Sequence, residues 1–234
     1  MKYDSIKVIA FDADDTLWVN EPLFRDAEER FCELMKDYLP SEACQKKLFE
    51  VEMKNLPLYG YGIKPFILSL IEAAITLSEG TIPLSVIQQL MDLGKEMLQA
   101  PVEVLDGIEA TLKALAPHYE LVMATKGDLL DQERKLNKSG LASYFHHIEI
   151  VSDKTETQYQ KLVSQLDIHP EEFLMVGNSV KSDILPVLAI GAYAFHIPFH
   201  TTWAHELVKE PVEHPNFQLL SNATELKAIL SLKK

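Results

Sequence analysis

The sequence predicts an α/β protein, a doubly wound parallel sheet with an inserted α-helical domain. Three observations predict it. Residues 7–11 form a short apolar run that ends abruptly in Asp12-Ala13-Asp14-Asp15, and near-continuous apolar strands are typical of parallel sheets covered on both faces. Residues 21–99 carry helical spacing with no convincing alternating strand. From about Pro101 onward, strand-like and helix-like periods alternate, which is the pattern of a parallel sheet wound with helices. The boundaries that follow are a core of residues 1–17 with 101–234 and a helical insertion of residues 18–100.

Each element has its own justification. In residues 21–38, Leu23, Phe24, Ala27, Phe31, Leu34, Met35 and Tyr38 recur at helical spacing. Ser41 stands where it can cap a second helix. Pro65 and Pro83 fall at the first turns of two more. Between the second and third helices lie residues 56–62, rich in turn formers and aromatics. In the later part the spacing predicts strands over 120–124, 148–151, 173–176 and 193–197. Helices are predicted over 129–138, 157–166 and 184–190, the first and last of them stopped by Gly140 and Gly191.

Composition narrows the function. Hydrophobic residues make up 47% and charged residues 24% of the 234-residue chain, a soluble globular balance. With 22 basic against 35 acidic residues the net charge is -13, which repels a nucleic-acid backbone in the absence of a basic patch. The apolar stretch of residues 66–77 is too short to span a bilayer, and the amino terminus enters a strand with no signal-peptide core. A cytoplasmic monomer or homodimer without nucleic-acid or membrane partners is the expectation. Cys32 and Cys44 read as reduced packing residues.

The chemistry gathers at strand ends. The first ends in Asp12-Ala13-Asp14, the second in Thr125-Lys126-Gly127, the third precedes Asp153-Lys154, and the fourth ends in Gly177-Asn178-Ser179 with Asp183 close behind. Ligands of open α/β sheets bind at the carboxyl ends of strands, and carboxylates, a hydroxyl, a lysine and an amide together are the inventory of a phosphoryl-transfer site. Asp12 and Asp14 lie two residues apart, so the backbone must bend after Asp12 for both to reach one substrate. Asp15 and Asp153 read as turn or solvated acids, and Thr16 as a hydroxyl bonding the local backbone. Lys161, a rival to Lys154, falls on a helix and reads as exposed. His196, His200 and His205 are too irregularly spaced for a metal cluster and read as a solvated loop.

These residues, in this order, resemble the four motifs of the haloacid dehalogenase superfamily: D-x-D-x-T, a Ser/Thr, a Lys and an acidic cluster. The insertion resembles that superfamily's C1-type helical cap. The resemblance implies a Mg²⁺-dependent phosphatase acting on a small phosphorylated metabolite. Asp12 is then the nucleophile and Asp14 the acid/base, with Thr125 and the Lys126 and Gly127 amides holding phosphate oxygens. Lys154 neutralises charge, and Mg²⁺ is held by Asp12, the Asp14 carbonyl and Asp183 or Asn178. Tyr59, Tyr61 and Lys64, in or beside the glycine-bearing loop, are candidates for substrate choice. Two departures stand out: Asn178 occupies a position more often aspartate, and Thr155 replaces the proline that often follows the lysine. The alternatives are a phosphomutase of the β-phosphoglucomutase type, a haloacid dehalogenase and a non-catalytic binding protein. In the dehalogenase branch the residue matching Asp14 is replaced, usually by tyrosine, so Asp14 favours phosphoryl chemistry.

Overall fold

A computed structural model describes residues 2–230. The chain divides into two compact units, one of Met1–Glu21, Val102–Lys126 and Gln132–Lys234, the other of Pro22–Pro101 and Gly127–Asp131.

The first unit is built on a six-stranded, all-parallel sheet. Its strands are β1 (Val8–Phe11), β2 (Glu120–Lys126), β3 (His147–Val151), β4 (Phe173–Gly177), β5 (Tyr193–His196) and β6 (Phe217–Leu219), in the order β3-β2-β1-β4-β5-β6. β1 is thus central, and the chain order reverses between β1 and β4, the switch point at which such sheets open a crevice. Alternate residues separate onto two faces, as the pleat requires. Ile9, Phe11, Leu121, Met123, Leu174, Val176 and Phe195 enter one core cluster. Val8, Ala10, Val122, Ala124, Phe173, Met175 and Ala194 enter the other. Helices cover both faces. The first cluster takes residues from α5 (Ile108–Leu115), α6 (Leu129–Ser139) and α9 (Leu226–Ile229), and the second from α7 (Glu156–Gln165) and α8 (Leu185–Ala189).

The second unit is helical, with α1 (Glu21–Leu34), α2 (Ser41–Tyr59), α3 (Ile63–Leu77) and α4 (Leu84–Gln99). Its own core contains Ala27, Phe31, Met35, Leu48, Leu70 and Leu90, positions that recur at helical spacing. Two sequence expectations are corrected in this region, and some elements of the first unit were not foreseen. Ser41 is the first residue inside α2 rather than its cap, which is Pro40 in extended backbone without a side-chain bond. Residues 56–59 continue α2 through Pro57 instead of forming a loop. The helix stops at Gly60, where φ is 75° and the amide donates to the Leu56 carbonyl, a positive φ that glycine adopts without strain. Pro57 is tolerated in this last turn because it removes one backbone bond near an end that water can reach. Finally, α5, β6 and α9 were not foreseen: each is eight residues or fewer, too short for a periodic signal. No helix among the described residues is long and apolar enough to cross a membrane.

Phe173 is fully buried, whereas Leu58 is 81% exposed. We expect Phe173→Ala to lower unfolding free energy by about 3–5 kcal/mol and Leu58→Ala to change it by less than about 0.5 kcal/mol, measured by urea denaturation.

Candidate active site

The turn after β1 presents the acids. The amide of Asp12 donates to the Val176 carbonyl on β4 at 2.9 Å, still in sheet register. The chain then bends. The carbonyl of Ala13 accepts from the amides of Thr16 and Leu17, at 3.3 and 2.8 Å, and Asp15 takes φ 62°. Asp15 is not a solvated acid. It is 7% exposed, and its carboxylate accepts from the amides of Asn20 at 2.8 Å and Glu21 at 3.0 Å, satisfying donors at the start of α1. Burial raises its pKa to about 7 against the pull of those amides.

Asp12 lies at the switch point and is almost fully buried. Its Oδ1 accepts from the Lys154 ammonium, which also donates to Asp183 Oδ1 at 2.6 Å. Its Oδ2 accepts from the Thr16 hydroxyl at 3.1 Å, and that same hydroxyl lies 3.2 Å from Asn178 Oδ1. Thr16 therefore links two side chains of the site rather than only the local backbone. Burial pushes the Asp12 carboxyl up, Lys154 pulls it down, and Asp183 pushes it up again. Burial works against the Lys154 ammonium, but Asp12 and Asp183 outweigh it and hold the group well above the usual lysine value. Burial is the larger cause at Asp12 and the two neighbouring carboxylates the deciding one at Lys154, where a single ammonium serves both and leaves one negative charge unbalanced.

The β4 end holds Asp183 in place. Its Oδ2 accepts from the Ser179 amide at 3.0 Å. A Cβ added to Gly177 would meet that oxygen at 2.3 Å, so the residue must be glycine for the carboxylate to lie over the strand. Residues Val180–Ile184 form a π-helical turn, a wide turn frequently found at functional sites. Lys154 sits in the β3–α7 loop, where Thr155 caps α7 by accepting from the Gln158 amide at 3.4 Å. A capping threonine thus stands where proline was expected. Lys161 is exposed on α7.

Thr125 is 1% exposed at the end of β2. Lys126 follows, and its ammonium is committed to Glu206 Oε1 at 2.6 Å and Ser182 Oγ at 2.9 Å. Glu206 was not anticipated. It is buried, and its Oε2 accepts from Ser179 Oγ at 2.5 Å and Ser182 Oγ at 2.6 Å. Burial opposes its charge, but Lys126 and the two hydroxyls prevail and hold it down to about 2. His196, expected in a solvated loop, is half-buried and bonds the Asn178 carbonyl through Nε2 at 2.9 Å. His205 meets Lys181, and His200 stacks on Phe199, so the three rings have separate partners. Nothing near Glu206 in sequence marks it, since its partners lie at least 24 residues away.

Asp14 faces α6. Its Oδ1 accepts from Trp18 Nε1 and Lys135 Nζ, and its Oδ2 from Gln132 Nε2. Neither α6 residue was expected, although α6 carries a signal. Leu129, Leu130 and Leu136 are its only strongly apolar residues, and the first two are exposed, so polar residues must fill the buried face, as Asp131 and Gln132 do.

Tyr59, Tyr61, Lys64 and Gly127 all lie in the helical unit. Tyr59 ends α2 and donates its hydroxyl to Glu72, and Lys64 pairs with Asp128 at 2.8 Å. Tyr61 is partly buried between Gly60 and Gly62.

The donor set fits a hard divalent cation. Asp12, Asp183, the Asn178 amide oxygen and the Asp14 carbonyl are all oxygen donors, and the unbalanced charge at Asp12 is what a cation relieves. Among the described residues no group of three or more His, Cys, Asp or Glu forms a metal cage. Mg²⁺ commonly needs no such cage, since it keeps several waters.

Comparison with known proteins agrees with this geometry. Residues 6–191 match the sequence pattern of haloacid dehalogenase-like hydrolases. A haloacid dehalogenase-like family hydrolase from Xanthomonas campestris is 37% identical, with TM-score 0.88 over 97% of this chain and 91% of that one. A 2-haloacid dehalogenase from Pseudomonas syringae pv. tomato is 21% identical, with TM-score 0.65 over 97% and 98% of the two chains. A phosphatase of the same superfamily from Thermococcus onnurineus is 18% identical, with TM-score 0.64 over 97% and 99%. The last two show likeness of fold alone. Among curated proteins no match is found.

Two measurements check this account. Gly177→Ala should displace Asp183 and lower catalytic turnover by roughly a hundredfold or more, while circular dichroism stays native. Because the Glu206 pKa is depressed, its stabilisation is present above its ordinary value of 4.5 and fades as pH falls toward 2. The stability gap between wild type and Glu206→Gln in urea should therefore be wide near about pH 6 and narrow at about pH 3; a constant gap would contradict it.

Proposed function

The chain belongs to the haloacid dehalogenase-like hydrolase family, and we propose that within it the protein is a Mg²⁺-dependent phosphatase of small phosphorylated metabolites. The observation that carries this reading is the convergence of Asp12 and Asp183 on Lys154, with Asp14 on the same turn. A carboxylate oxygen of Asp12 attacks phosphorus, forming a new P–O bond. The bond from phosphorus to the ester oxygen breaks, and its electron pair goes to that oxygen, which takes a proton from Asp14. Water then attacks phosphorus, gives its proton to Asp14, and the bond to Asp12 breaks to release inorganic phosphate. Splitting one displacement into two lowers the barrier of each, and Asp14 serves as acid and then base.

Thr125 and the amides of Lys126 and Gly127 hold phosphate oxygens, and Lys154 offsets the charge gathering around Asp12. Asp12, the Asp14 carbonyl, Asp183 and Asn178 would hold the cation, which when bound supplies positive charge to the phosphoryl oxygens. The helical unit is assigned substrate choice as a cap, with Tyr61 and Lys64 as candidates. Tyr59 is a weaker candidate because its hydroxyl is already given to Glu72. A dehalogenase reading is disfavoured by Asp14, since attack on carbon needs no acid for a departing halide.

Phosphate release from para-nitrophenyl phosphate with Mg²⁺ tests the reading. Wild type should turn over, and Asp12→Asn should lose at least about a thousandfold in kcat. Equal rates would remove Asp12 as nucleophile. Halide release from a 2-haloacid, or a sugar phosphate isomerised without free phosphate, would replace the phosphatase by one of its two rivals.

A further inference from the structure

Asp14 is held by donors to which the proposed reaction assigns no role. Its Oδ1 accepts from the Trp18 indole at 2.7 Å and from Lys135 Nζ at 2.5 Å. Its Oδ2 meets Gln132 Nε2 at 2.9 Å. That same Nε2 lies 3.0 Å from the Lys126 carbonyl and 3.3 Å from Thr125 Oγ1. Two amide hydrogens therefore face three acceptors. Lys135 is itself anchored, with its ammonium 3.1 Å from Asn20 Oδ1. Gln132 and Lys135 stand three residues apart on α6, so one face of the helix carries both.

Packing alone does not explain this pair. Gln132 is 2% exposed, and its Oε1 is buried without a hydrogen-bond partner. An acceptor so placed loses the hydrogen bonds that water would give it, a cost that an apolar side chain of similar shape would avoid. The side chain earns its position through Nε2. Lys135 is only 14% exposed, so its ammonium is largely desolvated, a loss its few partners must offset.

We propose that Lys135 and Gln132 are positioning residues that divide the work of the two Asp14 oxygens: Lys135, with Trp18, immobilises Oδ1, and Gln132 steers Oδ2, the oxygen that exchanges protons with substrate. The proposal rests on the acid/base role given to Asp14 above. While Oδ2 carries the proton, the Nε2 hydrogens of Gln132 serve the Lys126 carbonyl and Thr125. As the phosphorus–oxygen bond of the ester breaks, its electron pair goes to the ester oxygen, which takes the Oδ2 proton. One Nε2 hydrogen then returns to the bared Oδ2, and α6 need not move. In the second step water gives a proton back to Oδ2 and the bond is again released. The arrangement also links proton transfer to Thr125 and the Lys126 main chain, the groups assigned to the phosphate, through one side chain.

The dependence of rate on the leaving group tests this. Para-nitrophenolate is weakly basic and departs without a proton, whereas the phenolate of phenyl phosphate gains more from one. With Mg²⁺ present, Lys135→Met should lower kcat/KM, which reads the step that expels the leaving group and not the hydrolysis common to both esters, on the order of ten- to a hundredfold for phenyl phosphate and by less than about threefold for para-nitrophenyl phosphate. Lys135→Arg should recover most of the loss, and Asp14→Asn should show the same selectivity. Gln132→Met should discriminate in the same sense, and it decides the question if Lys135→Met fails to fold. Equal losses on both esters in the α6 variants, with Asp14→Asn still selective, would overturn the proposal and leave the acid standing. If Asp14→Asn is unselective, or the wild type cleaves neither ester, the acid reading fails and the proposal falls with it.

Discussion

One buried ammonium shared between two carboxylates holds the site together. Lys154 bridges Asp12 on the first strand and Asp183 beyond the fourth, the two strands between which chain order reverses. Moving such ions out of water costs several kcal/mol each, and removing one partner of a buried pair leaves an uncompensated charge. The neighbouring structure follows from that demand. Gly177 must be bare for Asp183 to lie across the strand, the wide turn at Val180–Ile184 brings the Ser179 amide to its second oxygen, and Thr16 joins Asp12 to Asn178.

A second network keeps other charges out of that bridge. Glu206 takes the Lys126 ammonium and two serine hydroxyls, so Lys126 does not compete with Lys154 for Asp12. The same contacts tie the β2 end to the Val180–Ile184 turn. His196 fixes the Asn178 carbonyl from β5. Lys126, the Asn178 carbonyl and Asp183 are thus each held by a neighbour, which is the condition for groups to be in place before charge develops.

The legible parts of the sequence were those with a local signal. The buried runs of β1, β2 and β4 have few readings other than strands between helices, and four polar strand ends in order needed only the rule for open α/β sheets. The helical insertion was visible from its period. What escaped lacks local information. Glu206 lies 80 residues from Lys126, and Gln132 lies 118 from Asp14, so those pairings exist only once the sheet is assembled. Asp15 was read as a turn or solvated acid; it lies in a turn but is buried, because its carboxylate satisfies the α1 amides. Residues 56–62 were read as a turn-rich connection, whereas α2 runs through Pro57 to Tyr59 and stops only at Gly60.

The charge inventory bears on the kind of ligand. Asp12, Asp14, Asp183 and Glu206 face Lys154, Lys135 and Lys126, one carboxylate more than there are ammoniums, and all three ammoniums are already engaged. A phosphate monoester brings up to two further negative charges toward Asp12. On the proposed reading, a divalent cation among the oxygen donors would offset that charge. Asn178 then has a physical reading within the proposed function: an amide in place of a carboxylate keeps the excess at one carboxylate instead of two.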